Sequence, residues 1–187
     1  MKKLFICSLL LMIIDQIAKL FVTTYYINAN ILLIPHILLF RPVQNTNLNW
    51  IASMLEYDTP ILFMLLMQAF ALGLILVLHR YLSYLWKQSS KPLNGMLVSF
   101  MAGIACSFID VAFWGGSWDF IRFFNWFTFD LKDVYLNIGL VFLLIYIVNY
   151  YQRIDCKMIT EQRKQTSLWI WIRKGMPFSP TEEEELS

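Results

Sequence analysis

The stretch Ala105-Cys106-Ser107-Phe108-Ile109-Asp110 puts a carboxylate near the end of an apolar run extending from about Leu93 to Trp114. Such a run is long enough to cross a bilayer, which takes about 20 mostly apolar residues. A carboxylate inside a span costs roughly 3 kcal/mol or more, so it marks a functional site by default. Working outward, Phe129-Asp130-Leu131-Lys132-Asp133 delivers a second acidic residue, Asp133, at the head of another apolar run, Val134–Tyr151. Two further runs, Leu4–Tyr25 and Pro60–Leu78, precede them. The sequence therefore predicts an all-α membrane protein with four transmembrane helices.

Composition agrees. Of 187 residues, 58% are hydrophobic, 17% aromatic and only 15% charged, with a mean hydropathy of +0.56. Soluble domains carry charge on about a quarter of their residues. Residues 1–152 read as one four-span membrane domain, and 153–187 as a cytoplasmic extension that is basic and amphipathic, then acidic. No basic stripe interleaved with aromatics suggests nucleic acid. Cys7, Cys106 and Cys156 lack C-x-x-C spacing, and His36 and His79 are the two histidines, so a metal centre is not expected. Cys7 and Cys106 read as lipid- or core-facing residues, and both histidines as bystanders.

Basic residues orient the bundle, because cytoplasmic loops are enriched in Lys and Arg. Lys2, Lys3, Arg80, Lys87, Lys91, Arg153, Lys157, Arg163, Lys164, Arg173 and Lys174, 11 of the 15 basic residues, fall on one side. Both termini are therefore expected in the cytoplasm, with the loops near residues 26–59 and 115–133 outside. The start, Met1 to Cys7, superficially resembles a lipoprotein signal. The residues before Cys7 are bulky, no small-residue cleavage site follows, and a retained first span is expected.

The first outer loop, Asn30 to Asn45, is rich in strand formers and broken by Pro35, which predicts a small extracytoplasmic β-like element on the membrane surface. Trp50–Tyr57 reads as an interfacial helix. Gln152–Gln165 is expected to extend the last helix. Ser167–Lys174 is expected to anchor at the interface, and Met176–Ser187 to be disordered.

In order, the polar residues resemble the lipoprotein signal peptidase (signal peptidase II) family. Asp15-Gln16-Ile17-Ala18-Lys19 matches its D-Q-x-x-K, and Val43-Gln44-Asn45-Thr46-Asn47-Leu48-Asn49-Trp50 its V-x-N-x-G-x-x-F. Ser107-Phe108-Ile109-Asp110 stands against N-x-x-D-R, Gly115 to Ile121 against G-x-x-x-D-F-I, and Phe129 to Gly139 against F-N-x-A-D-x-x-x-x-x-G. The chain departs from these patterns at Asn47, Cys106, Ser107, Val111, Asp130 and Lys132. The resemblance implies that some of the lost Asn and Arg side chains would hold substrate, and Arg122 or Lys132 is a candidate replacement cation.

What the resemblance implies is a divergent aspartyl endopeptidase of the bacterial inner membrane. It would cut signal peptides from diacylglyceryl-modified prolipoproteins, without metal or cofactor, with membrane lipids as further partners. Asp110 and Asp133 would be the catalytic pair, with Asn45, Ser107 and Asp119 positioning substrate. The chemistry wants two carboxyls because adjacent ones cannot both ionise, leaving one base and one acid near neutral pH. Each residue also has a plainer reading. Asp110 and Asp133 could glue helices or relay protons. Asp15 and Lys19, an i,i+4 pair beside Gln16, read as structural. Asn45 reads as a turn residue, Asp119 as a loop-orienting hydrogen-bonder or cap, and Asp130 as solvated rather than as crowding Asp133 and raising its pKa. The aromatics from Phe113 to Phe127 read as an interfacial belt that could also shape an acyl-chain groove. Two other functions remain open: a non-catalytic relative that binds lipid-modified or signal peptides, and a small transporter or channel subunit.

Overall fold

The computed structural model describes residues 1–46, 60–85, 90–124, 126–153 and 168–177. The expected interfacial helix at Trp50–Tyr57, most of the Gln152–Gln165 extension and nearly all of the tail lie outside them. Four apolar runs become four helices long enough to span a membrane: α1 (Lys2–Tyr25), α2 (Ile61–Leu85), α3 (Lys91–Ile109) and α4 (Leu131–Arg153). A short α5 (Leu168–Arg173) follows.

Helix α3 is the centre of the bundle. Half of its most apolar window is buried, against 6% for α2, whose surface is left for lipid. It starts cleanly because Ser90 accepts the Leu93 N–H and Pro92 sits in the first turn, where a missing N–H costs nothing. Against α4 it packs through small residues, as spanning helices do. A Cβ on Gly103 would stand 2.6 Å from the Leu136 side chain and 3.2 Å from the Lys132 carbonyl. That approach brings α3 against the first turns of α4. Leu93, Met96 and Tyr146 form one core cluster; Ala102, Cys106 and Tyr135 form another, capped by Leu11, Met12 and Leu131. Cys106 is therefore core-facing and Cys7 exposed, as expected.

The last turn of α3 widens into a π-helical turn at Asp110–Trp114, which ends on Gly115 in the left-handed region. π-turns of this kind cluster at functional sites. Beyond it the chain enters a four-stranded antiparallel sheet ordered β1 (Ile31–Ile34), β2 (Leu38–Asn45), β3 (Ser117–Phe123), β4 (Phe127–Phe129). The break foreseen at Pro35 is the β1–β2 turn. Pro42 lies in an interior strand, where it cannot donate a ladder bond, and the register shifts there between Phe40 and Val43. Strands β3 and β4 come from the aromatic stretch read as a belt. The sheet is thus larger than the first outer loop alone suggested. Gly116 allows the two outer segments to meet, since a Cβ there would lie 2.6 Å from the Asn45 carbonyl.

Helix α5 folds back onto α2. Trp171 is buried with its ring centroid 5.3 Å from that of Tyr81, while Trp169 stays exposed under the Arg173 guanidinium. His79 is buried and bonds Asn94 at 3.1 Å, a packing role.

Candidate active site

Asp15, Gln16, Lys19, Asn45, Asp110, Asp119, Asp130, Lys132 and Asp133 belong to one connected cluster at the sheet end of the bundle. Its first anchor is Lys19 on α1, which is fully buried. The Lys19 ammonium donates to Asp110 at 2.6 Å and lies 2.8 Å from Asp15 and 2.7 Å from Asp130. The expected Asp15–Lys19 pair is present, and the same ammonium ties α1 to the π-turn and to the start of α4. Gln16 Nε2 donates to Asp15 at 3.1 Å and Asp110 at 3.3 Å, and its Oε1 accepts the Trp114 indole N–H. Asp110 is consequently enclosed by cationic and donor groups.

The second anchor is Lys132. Its ammonium lies 2.6 Å from Asp130, 3.3 Å from Asp110 and 3.6 Å from Asp119, and it donates to the Ser117 hydroxyl in a short contact. Of the two candidate replacement cations, Lys132 is the one inside this cluster. Asp130 is fully buried, which corrects the expectation that it is solvated: two ammonium groups give it partners that water would otherwise supply. Burial alone would raise its carboxyl, but Lys132 and Lys19 together outweigh that and hold it below the ordinary range.

Asp130 and Asp133 also build the start of α4. The Asp130 carboxylate accepts the Asp133 N–H at 3.3 Å, and the Asp133 carboxylate accepts the Asp130 N–H at 3.2 Å. This is the reciprocal geometry of a capping box, with aspartate in the third-residue position. It also fixes the direction in which the Asp133 carboxyl points.

Asp119, on β3, is buried and accepts from Ser117 at 2.7 Å and Asn45 at 3.4 Å. Expected as a loop-orienting hydrogen-bonder or cap, it lies instead on a strand, hydrogen-bonded by Ser117 and Asn45. Burial pushes its carboxyl above the ordinary range, against the opposing pull of Lys132 and Ser117. One carboxylate oxygen each from Asp119, Asp130 and Asp133 lie within 4.8 Å of one another. These oxygens have the spacing for a cation, but the Lys19 and Lys132 ammoniums already sit against the Asp130 carboxylate and Lys132 lies beside Asp119, so a dication would have to displace bound charge.

Asp110, Asp119, Lys132 and Asp133 all line one cavity of about 850 Å³, within the usual range for a ligand site. Ser107 and Asn45 line it too, with Ser107 accepting a 2.9 Å bond from Gln68 of α2. Phe123, Phe127 and Phe129 of the sheet and Val134, Ile138, Val141 and Phe142 along one face of α4 make its apolar wall. The sequence left Asp130 as solvated and Lys132 as one of two candidate replacement cations. Their closeness to Asp133 was visible, but not the buried partners arriving from α1 and β3.

Solved structures share this fold. A solved bacterial membrane enzyme determined at 2.3 Å by the in meso method is similar, with a TM-score of 0.62 and 20% identity over 83% of this chain and 93% of that one. A second such structure, at 1.9 Å, matches with a TM-score of 0.60 and 20% identity over 79% of this chain and 93% of its own. No curated protein matches by sequence. The family model described as signal peptidase (SPase) II matches residues 7–149, from α1 through nearly all of α4. The chain is thus a multi-pass membrane protein belonging to the signal peptidase II family, a family of peptidases.

Proposed function

We propose that this protein is an aspartyl endopeptidase cleaving the signal peptides of diacylglyceryl-modified prolipoproteins, with Asp119 and Asp133 as its acid and base. The family supports lipoprotein signal peptidase chemistry in general. The observation that carries the assignment of residues is the closeness of the Asp119 and Asp133 carboxylates, within 4.8 Å, at the wall of the cavity. A water held between two carboxyls so spaced can lose a proton to one while the other protonates the scissile carbonyl or the leaving nitrogen. Burial favours the protonated form of Asp119, so the pair can hold a proton to donate. Asp133 is partly exposed to the cavity.

The pair expected from the sequence was Asp110 with Asp133. The geometry favours Asp119 because the Asp110 carboxylate is already engaged by Lys19 at 2.6 Å and Lys132 at 3.3 Å. Asp110 is better suited to holding the two lysines in place. Asn45, bonded to Asp119, would position the acid, and Ser107 lies farther along the wall. The apolar face of α4 and the phenylalanines would receive the acyl chains. Opening toward lipid would let a substrate stay in the bilayer while water reaches the carboxylates. The distribution of Lys and Arg supports an inner-membrane orientation with both termini cytoplasmic and this site at the outer face.

Purified protein and a diacylglyceryl-modified peptide test the reading. Asp119→Asn and Asp133→Asn should each abolish cleavage while the protein stays folded, and Asp110→Asn should retain part of it. If Asp119→Asn cleaves normally and folded Asp110→Asn does not, the pair is Asp110 with Asp133. If the unaltered protein binds the peptide without cutting it, the chain is a non-catalytic relative.

A further inference from the structure

Lys132 is the single basic side chain among the described residues that lines the cavity. It is over nine-tenths buried, at a depth where an ammonium is retained only with charged partners. Those partners surround it from every packed element. Asp110 approaches from the π-turn and Asp119 from β3, while Asp130 and Asp133 flank it in sequence at the start of α4. Lys19 reaches the same Asp130 and Asp110 carboxylates from α1, with Asp15 behind it. Cys106 and Tyr135 pack alongside in the core. Five carboxyls therefore share two ammonium groups, and Lys132 is the ammonium next to the proposed acid.

We propose that Lys132 is a positioning residue of the peptidase site: a built-in counter-ion, clamped by Asp130 and Ser117, that sets how many protons the Asp119–Asp133 pair holds. It need not touch substrate. Its Nζ stands 3.6 Å from Asp119, close enough for its charge to act directly on that carboxylate in a water-poor setting. Asp130 is the other half of the device, since it cancels the charge of Lys132 and aims it at 2.6 Å. With both present the pair adds a field without adding net charge. The Ser117 hydroxyl completes the clamp, accepting from Lys132 and donating its one proton at 2.7 Å to Asp119.

The inference rests on the peptidase reading with Asp119 and Asp133 as the pair, and charge arithmetic tests it. Removing the ammonium with Lys132→Met makes carboxylates harder to ionise, so both limbs of the pH profile of kcat/KM should move to higher pH. A shift of about one unit leaves roughly a tenfold loss on the old acid limb. Lys132→Arg should keep the limbs in place. Removing both charges with Asp130→Asn/Lys132→Met should return the limbs toward their original positions and recover most of the lost rate, since Asn still caps α4. A scaffold role gives a different pattern: a uniform loss with unmoved limbs, and a double variant no better than the single one. Either result overturns the proposal.

A second readout does not depend on cleavage. Infrared spectra of protein carrying 13C-carboxyl aspartate, recorded at neutral pH, should show more protonated carboxyl in Lys132→Met than in the unaltered protein, with the excess gone in the double variant. If nothing cleaves the lipidated peptide yet this pattern holds, the peptidase reading fails and the counter-ion role stands. If the protonated fraction does not change, the counter-ion role fails whatever the activity.

Discussion

Replacing Lys19 with methionine keeps the length of the side chain and takes away one ammonium from which three carboxylates, on Asp15, Asp110 and Asp130, lie within 2.8 Å. All four side chains are at most 2% exposed, so water cannot fill the vacancy. Removing one partner of a buried ion pair costs about 3–5 kcal/mol. The carboxyls left behind can relieve the cost by taking up a proton. From an unperturbed value near 3.9, that uptake at pH 7 costs about 4 kcal/mol, at about 1.4 kcal/mol per pH unit. The two figures agree, so the variant should be destabilised by about 4 kcal/mol at pH 7 and by only about 1.5 kcal/mol at pH 5. At roughly 2–4 °C per kcal/mol for a chain of this size, Tm should drop by about 8–16 °C at pH 7 and recover much of the loss at pH 5. Thermal unfolding in detergent micelles, followed by tryptophan fluorescence across this pH range, measures both numbers. A drop under about 3 °C, or one that does not change with pH, would refute the account of Lys19 as the tie between α1, the π-turn and α4.

Asp119 and Asp130 should pull stability in opposite directions. Asp119, raised by burial, contributes stability that is present below its ordinary range and lost as pH rises through its elevated value. Asp130 is held low by Lys132 and Lys19 over the opposing effect of burial. Its contribution is present above its ordinary range and lost as pH falls through its depressed value. Asp119→Asn should therefore match or exceed the unaltered protein in Tm at neutral pH, with the difference closing in mild acid, even as cleavage is abolished; a variant equally destabilised at every pH would contradict this. Val111 is buried in the cavity wall beside Asp110, where the resemblance leads one to look for arginine. Val111→Arg alone should lower Tm by crowding a second cation against Lys132, and adding Lys132→Ala should recover most of the loss in the same unfolding assay.

The four spans were legible because apolar runs of about 20 residues have few alternatives. Part of the sheet was legible too, since Pro35 and its strand-forming neighbours leave little choice but a hairpin. Strands β3 and β4 were hidden by their composition: Trp118, Phe120, Phe123 and Phe127 fit a membrane interface as well as a sheet, and the pairing that decides comes from β2, far away in sequence. The same distance kept Asp119, expected to position substrate, out of the pair the sequence suggested. Asp110 drew attention because an acid in an apolar run stands out, whereas an acid among loop aromatics reads as a cap. What distinguishes Asp119 is the Asn45 amide, the Ser117 hydroxyl and the approach of Asp133, and these converge only in three dimensions. Asp130 was misjudged for a related reason. Charged residues before a helix are usually wet, and nothing local shows that α1 will bring a buried ammonium to them.

The order in which the site's parts are made has a consequence for the cell. Lys19 is synthesised early, Asp110 and Asp119 follow, and Asp133 arrives at the head of the fourth helix, with a carboxyl whose aim depends on that helix having begun to wind. A nascent chain with three helices inserted already has a sheet in the making and most of the buried charges, but only half of the pair proposed to cut. Proteolytic competence would then appear in a single late step, when the last segment enters the bilayer and its first turn closes. A stalled or truncated chain would sit among membrane substrates without harming them.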